Sequence, residues 1–187
     1  MLCISNFNEK IILICNVDIK TRSREIKKEL KTKDRPTFMY QISEDYLLIG
    51  TDTGKLELWS IENINKNIYD AHQGSEYGIT AIIPLFKPSE LITNERPNAM
   101  GVESSESTFI ATAAGDKVTF KIWKIVKNGN EIDLQMHIKV DTKIPTGIHY
   151  VLQTSPTQIV CCNDNNVLKF YDFVDKVALR EKEENEK

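Results

Sequence analysis

The sequence predicts an all-β fold built from copies of one small antiparallel sheet, and three observations lead to this prediction. A short apolar pattern occurs four times, within residues 10–17, 54–61, 118–125 and 166–173. Apolar and variable positions alternate within each copy, as they do in a strand with one buried face. A turn rich in Gly, Asp or Asn stands before or at the start of three copies, which is typical of a β-hairpin.

The copies align position by position on four residues that we interpret as structurally equivalent, Cys15, Trp59, Trp123 and Tyr171. The alignment gives three apolar columns: Ile12, Leu56, Phe120 and Leu168; Ile14, Leu58, Ile122 and Phe170; and Val17, Ile61, Ile125 and Phe173. Variable columns between them are predicted to face solvent, such as Leu13, Glu57, Lys121 and Lys169. The aligned positions are 44, 64 and 48 residues apart. A period in the mid-forties, interrupted once by roughly twenty extra residues, is typical of the four-stranded blades of a β-propeller.

Each predicted blade has a first strand, a hairpin of second and third strands, and a weaker outer strand. In chain order the predicted strands are 2–7 and 10–17 in a partial first blade (1–35); 37–42, 46–50, 54–61 and 67–70 in the second (36–77); 78–84, 109–113, 118–125 and 134–140 in the third (78–146, with an inserted loop at 87–107); and 147–152, 158–162, 166–173 and 176–180 in the fourth (147–180). Residues 181–187 are predicted to be a charged tail.

Residues 47–61 resemble the WD-repeat family. They carry the apolar strand, the small-residue pair, the turn glycine at Gly54 and the terminal tryptophan at Trp59 that are found in that family. The resemblance is looser in three further segments, 109–125, 159–173 and 2–17. Most of the chain is therefore covered by degenerate copies of one motif.

Two family signatures are incomplete in this chain. Ser60 and Lys124 stand where the acid of the family's Trp-Asp pair is expected, and only Asp172 keeps it. Ala71-His72 is the nearest match to the family's Gly-His pair. The resemblance implies that His72 links one blade to the next through hydrogen bonds.

The resemblance also implies a role and a larger architecture. It implies part of a propeller with roughly seven blades, completed by more of the same polypeptide or by another chain. An incomplete gene sequence or a true half-propeller subunit would give the same pattern. It implies a non-catalytic scaffold for protein–protein interactions in a multi-subunit assembly, with a cilium or the cytoskeleton as one expected setting. Partners are then expected to be other proteins of that assembly.

Composition excludes several other classes of protein. The 187 residues are 41% hydrophobic and 27% charged, as in folded globular proteins. No apolar run approaches the ~20 residues of a membrane helix, and the N-terminus does not resemble a secretory leader. The formal net charge of −3 gives no general attraction to nucleic acid or anionic membranes. The sequence therefore predicts a cytoplasmic protein.

No pattern of catalytic or metal-ligating residues is found. The cysteines all lie in predicted strands, at Cys3, Cys15, Cys161 and Cys162, and no CxxC spacing occurs. We expect buried thiols in a reducing compartment. The histidines lie in separate predicted elements, at His72, His137 and His149. Because phosphate-binding, zinc, calcium and nucleophile motifs are also absent, we predict no enzyme activity, no metal and no cofactor.

A basic stretch at residues 20–35 offers an alternative function. It contains Lys27, Lys28 and Lys31, whose charges could bind lipid headgroups or RNA. No aromatic side chain is present there to stack on bases. A solvated outer strand with an inter-blade loop is the other interpretation.

Loops and turns are the predicted partner-binding sites, because specificity is usually carried by loops on a rigid frame. The insertion at 87–107 contributes Glu95, Glu103 and Glu106, next to serines that could accept phosphate. Simple disorder of this insertion is the competing interpretation. The hairpin turns contribute Asp52 and Asp116.

Overall fold

In the computed structural model of the chain, residues 9–18, 20–85, 109–129, 131–143, 146–155, 158–163, 165 and 167–172 are described, together with the backbone of residues 2–6. These residues form strands, turns and short connections, and none of them is helical. The predicted all-β class is therefore confirmed for the part of the chain that the structure describes.

The strands pair into antiparallel sheets in which sequence neighbours lie side by side. The first sheet contains β1 (Leu2–Asn6), β2 (Ile11–Asp18) and β3 (Ser23–Lys31); the second contains β4 (Pro36–Gln41), β5 (Tyr46–Thr51), β6 (Leu56–Ser60) and β7 (Asn65–Tyr69); the third contains β8 (Ile79–Leu85), β9 (Phe109–Ala114), β10 (Thr119–Asn128) and β11 (Glu131–Asp141); the fourth contains β12 (Tyr150–Ser155), β13 (Gln158–Cys162) and β14 (Leu168–Asp172). The second and third sheets have the four strands of a propeller blade.

Most predicted strands differ from the observed ones by only a few residues at their ends. The first strand of the fourth sheet is an example with a clear physical reason. β12 begins at Tyr150, although the prediction began at Gly147. The main-chain N–H of Ile148 donates instead to the carbonyls of Ala114 (3.3 Å) and Lys117 (3.2 Å) in the third sheet. The predicted outer strand at 176–180, the inserted loop and the tail lie outside the described residues, and the blade boundaries stay predictions.

Apolar side chains fill the junctions between successive sheets. At the first junction, two isoleucines of β2, Ile12 and Ile14, pack with Leu47 and Trp59 of the second sheet. The second junction joins Leu56 and Leu58 to the third sheet, and comparable clusters bury Phe120 and Ile159 at the third junction. Fully burying one such side chain stabilises the fold by about 1.5–3 kcal/mol. The junctions therefore hold the sheets in a fixed stack.

The turns between second and third strands lie at one end of the stack, which we call the hairpin-turn end. Backbones approach closely here, and glycine is required. Gly54 has φ +78°, and a Cβ at this position would overlap the carbonyl of His72. Gly78 has φ +71°, and a Cβ there would come within 2.5 Å of the Cα of Asp52. Connecting segments between sheets are thus held against the turns.

Candidate interaction surface at the hairpin-turn end

The four aligned positions lie on equivalent strands, and three of them take part in hydrogen bonds that link their sheet to the preceding one. The link is direct for Tyr171 and passes through a second side chain of the same sheet for Trp59 and Trp123. Cys15 lies on β2, Trp59 on β6, Trp123 on β10 and Tyr171 on β14. Cys15 and both tryptophans are buried, and Tyr171 is half-buried. Each of the three aromatic side chains connects to the segment just after the preceding sheet's outer strand, but through different chemistry.

In the third sheet the link is neutral. Trp123 Nε1 donates to Thr112 Oγ1 at 2.9 Å. His72 Nε2 lies 3.2 Å from that hydroxyl and 3.2 Å from the Thr112 carbonyl oxygen. Because a carbonyl oxygen only accepts, Nε2 carries the proton, and the buried Nδ1 has no hydrogen-bond partner. His72 follows β7, so this chain of hydrogen bonds joins the second and third sheets.

Burial keeps this histidine uncharged. Desolvation, assisted by the nearby charge of Lys121, lowers the pKa of His72 from 6.5 to about 4. The hydrogen bond to Thr112 and the charge of Asp116 oppose the shift without cancelling it. The neutral ring is therefore the form that fits this site at physiological pH.

In the second sheet the same link is ionic. Trp59 Nε1 donates to Glu57 Oε2 at 2.9 Å, and Lys66 Nζ donates to the same oxygen at 2.9 Å. The other carboxylate oxygen accepts from the main-chain N–H of Lys33, which follows β3, at 3.4 Å. Glu57 is fully buried, so the prediction that its column faces solvent was wrong at this position. The ammonium of Lys66 also lies 4.7 Å from the centre of the Trp59 ring.

In the fourth sheet the link is direct. The Tyr171 hydroxyl donates to the carbonyl of Thr142, which follows β11, at 2.6 Å. Lys169 Nζ donates to the same carbonyl at 3.1 Å. The Tyr171 ring meets the Phe120 ring edge-on, with 5.6 Å between centroids. One position of the repeat therefore serves as the inter-sheet tie in three chemically distinct ways.

The two turn acids predicted to bind partners are engaged within the chain. Asp52 Oδ1 accepts from the N–H of Arg35 at 3.1 Å. Asp116 accepts from the hydroxyl of Ser75 and from the N–H of Glu76, the latter at 3.0 Å. Burial opposes ionisation of Asp116, but these hydrogen bonds outweigh it and hold the pKa of the carboxyl below its ordinary value. Both acids fix the connecting segments to the turns, and a role in partner binding stays a prediction.

The predicted basic surface lies on β3, the outer strand of the first sheet, and is partly neutralised. Lys27 pairs with Glu25 at 2.9 Å, and Lys31 lies 3.8 Å from Glu29. Lys28 Nζ donates to two carbonyls of the second sheet, those of Ile61 and Glu62. The lipid- or RNA-binding alternative stays a prediction that these contacts do not favour.

The three acids of the insertion, Glu95, Glu103 and Glu106, lie outside the described residues. His137 on β11 lies beside Phe109 on β9, with 5.2 Å between the ring centroids and 51° between the ring planes. Within the described ranges, no three His, Cys, Asp or Glu side chains come together in a way that could hold a metal. Burial raises the pKa of the Cys161 thiol to about 12, which disfavours the reactive thiolate.

Sequence reasoning missed Tyr77, a large exposed side chain at the hairpin-turn end. It is 68% exposed and follows the segment that Asp116 holds. Its base packs against Gly115, where a Cβ would come within 2.9 Å of the Tyr77 Cβ. An aromatic residue in the segment between two predicted blades carries no repeat signal, so only the tertiary structure reveals its exposure.

Comparisons with solved structures show a related fold. The chain is similar to one in the structure titled "Crystal Structure of Mitotic Checkpoint Complex", with a TM-score of 0.59 and 18% sequence identity. The match covers 90% of this chain and 46% of that chain, so the present chain spans about half the length of the solved one. This likeness supports a WD40-like β-propeller fold.

Sequence comparisons add no family assignment. No protein-family model matches the chain, and no curated protein matches it. Among the residues that the structure describes, none belongs to a helix long and apolar enough to cross a membrane.

Proposed function

We propose that the chain is a non-catalytic, WD-repeat-like scaffold that binds other proteins of a multi-subunit assembly through its hairpin-turn end. The exposure of Tyr77 on a firmly held segment is the observation that carries this proposal. Tyrosine buries a large area with few rotatable bonds and is enriched among the residues that dominate binding energy.

The segment that presents Tyr77 is held on both sides, which reduces the entropy lost on binding. Lys117 Nζ donates to the Gly74 carbonyl at 2.8 Å, and Ser75 Oγ accepts from the Gly78 N–H at 2.9 Å. The N–H of Gly115 donates to the Gly78 carbonyl at 3.3 Å. A partner would therefore meet a preorganised aromatic surface.

The likeness to a chain from a multi-protein complex fits this role at a coarse level. The finer setting is also a proposal: a cytoplasmic assembly, with the cilium or the cytoskeleton as its expected location. The insertion acids Glu95, Glu103 and Glu106 are proposed as additional contacts on the same scaffold.

Native mass spectrometry of the chain purified from its source cells tests the proposal. We expect Tyr77→Ala to lose its bound protein subunits and Tyr77→Phe to retain most of them. Ile64→Ala is the matched control, because Ile64 is 52% exposed in the β6–β7 turn at the opposite end of the stack. Retention of every subunit by Tyr77→Ala, in a chain with wild-type circular dichroism, would contradict the proposed binding surface.

A further inference from the structure

The fourth sheet exposes one apolar face, which we call the end face. It is formed by four large side chains: Tyr150 (71% exposed), Leu152 (60%), Leu168 (59%) and Phe170 (59%). The register places Tyr150 and Leu168 on either side of Cys162, and Leu152 and Phe170 on either side of Val160. Contiguous exposed apolar surface on a sheet usually marks an interface.

The same columns are buried in the other three sheets. The positions aligned with Leu168 and Phe170 are 4% exposed or less, namely Ile12, Ile14, Leu56, Leu58, Phe120 and Ile122. In each of the first three sheets, these apolar side chains pack against the next sheet along the chain. They contact the face of that next sheet that carries its aligned aromatic residue, Trp59, Trp123 or Tyr171. The end face therefore has the composition of a junction face.

The first sheet exposes the complementary kind of face. Ile12 and Ile14 of β2 point toward the second sheet, so the alternating residues Cys15 and Val17 point the other way. Ile26 lies opposite Cys15 on β3 and shares that outward face. Cys15 is itself buried, but Val17 and Ile26 are 45% and 53% exposed. This is the aligned-aromatic face, which in the other sheets covers the preceding junction face.

We propose that a second copy of this chain covers the end face, with its first sheet packed on the fourth sheet of the first copy. By symmetry, the fourth sheet of the second copy packs on the first sheet of the first copy. The two contacts are identical, each joins two different faces, and together they close a ring. Each copy contributes four sheets, and eight lies within the range of about 4–8 blades for propellers.

This inference rests on how the sheets stack and is independent of the proposed use of Tyr77. The contact resembles the internal junctions in its chemistry, because an apolar column meets the aligned-aromatic face. Closure leaves neither face exposed, which removes the tendency of open sheets to associate without limit.

Sedimentation velocity of the full chain over a wide concentration range tests the proposal. We expect a species of twice 21.4 kDa, whose dissociation constant rises at least tenfold in Phe170→Glu and in Ile26→Glu. Met136→Glu is the matched control, because Met136 is 52% exposed on β11 and belongs to neither face. A one-to-one mixture of the two defective variants should form mixed dimers through the one intact contact, which neither variant forms alone.

Four outcomes would overturn the proposal: a monomer at every concentration, growth beyond two copies, a dimer unaffected by either variant, or a dimer lost in Phe170→Glu and kept in Ile26→Glu. The last result would mean that two end faces pair with each other. Circular dichroism identifies variants that do not fold. If a variant does not fold, hydrogen exchange of the wild-type chain is measured instead. We expect the amides of both β2 and β14 to become more protected as the protein concentration rises.

Discussion

The second and third sheets use the same repeat position to tie themselves to the preceding sheet, yet one tie is charged and the other is neutral. Trp59 is held by Glu57, whose carboxylate also binds Lys66. Trp123 is held by Thr112, which in turn meets His72. The indole N–H is the common element, and it requires an acceptor because a buried unsatisfied donor costs about 1–3 kcal/mol.

The two sheets place the acceptor for the tryptophan N–H on different strands. The β9 position of Thr112 corresponds in β5 to Ile49, which has no acceptor, while the β10 position of Lys121 corresponds in β6 to Glu57. The acceptor has moved from the second strand to the third. Both sheets therefore satisfy the tryptophan N–H at 2.9 Å, but with different residue types. The ionic link and the neutral link should respond differently to mutation and pH.

Removing the counter-ion of the second sheet should give the largest effect. Lys66→Ala leaves the carboxylate of Glu57 buried without a cation, which costs about 3–5 kcal/mol. Urea unfolding should show this loss, and adding Glu57→Gln should restore part of it because the amide can still accept from Trp59. Lys31→Ala, which removes an exposed lysine near Glu29, should leave the unfolding midpoint unchanged. An equal effect of the two lysine substitutions would contradict the proposed importance of the buried pair.

Acidification should weaken the third sheet's tie. His72 has a pKa of about 4 in the folded chain and 6.5 when unfolded, so the unfolded state binds more protons between these values. Stability is therefore fully present above pH 6.5 and falls as the pH drops, by on the order of 2 kcal/mol by about pH 5. Unfolding free energies of wild type and His72→Gln measured from pH 7 to pH 5 should show this slope only in wild type. The same slope in both proteins would assign it to other groups.

The fourth sheet should be the least sensitive of the three. Tyr171→Phe removes one hydrogen bond to the Thr142 carbonyl, which Lys169 also contacts, and keeps the packing on Phe120. We expect a loss of about 1 kcal/mol or less in urea unfolding, with no dependence on pH. A loss as large as that of Lys66→Ala would show that the direct tie is as critical as the ionic one.

The sequence predicted the fold well because strand alternation is local. Apolar columns such as Leu56 and Leu58 recur with period two, and turn residues such as Gly54 mark the hairpins. The burial of Glu57 could not be predicted, because a charged residue in a variable column is usually exposed and its partners Lys66 and Lys33 lie on other elements. The exposure of Tyr77, and the hydrogen bonds by which Asp116 holds the segment before it, could not be predicted for the same reason.

By itself the sequence determined the repeated antiparallel sheets and the equivalence of Cys15, Trp59, Trp123 and Tyr171, because these depend on side-chain periodicity along one strand. Only the tertiary structure decided which chemistry ties each sheet to the preceding one and which apolar face is left open. Those features depend on residues that are distant in the chain and meet only when the sheets stack, so no local pattern encodes them.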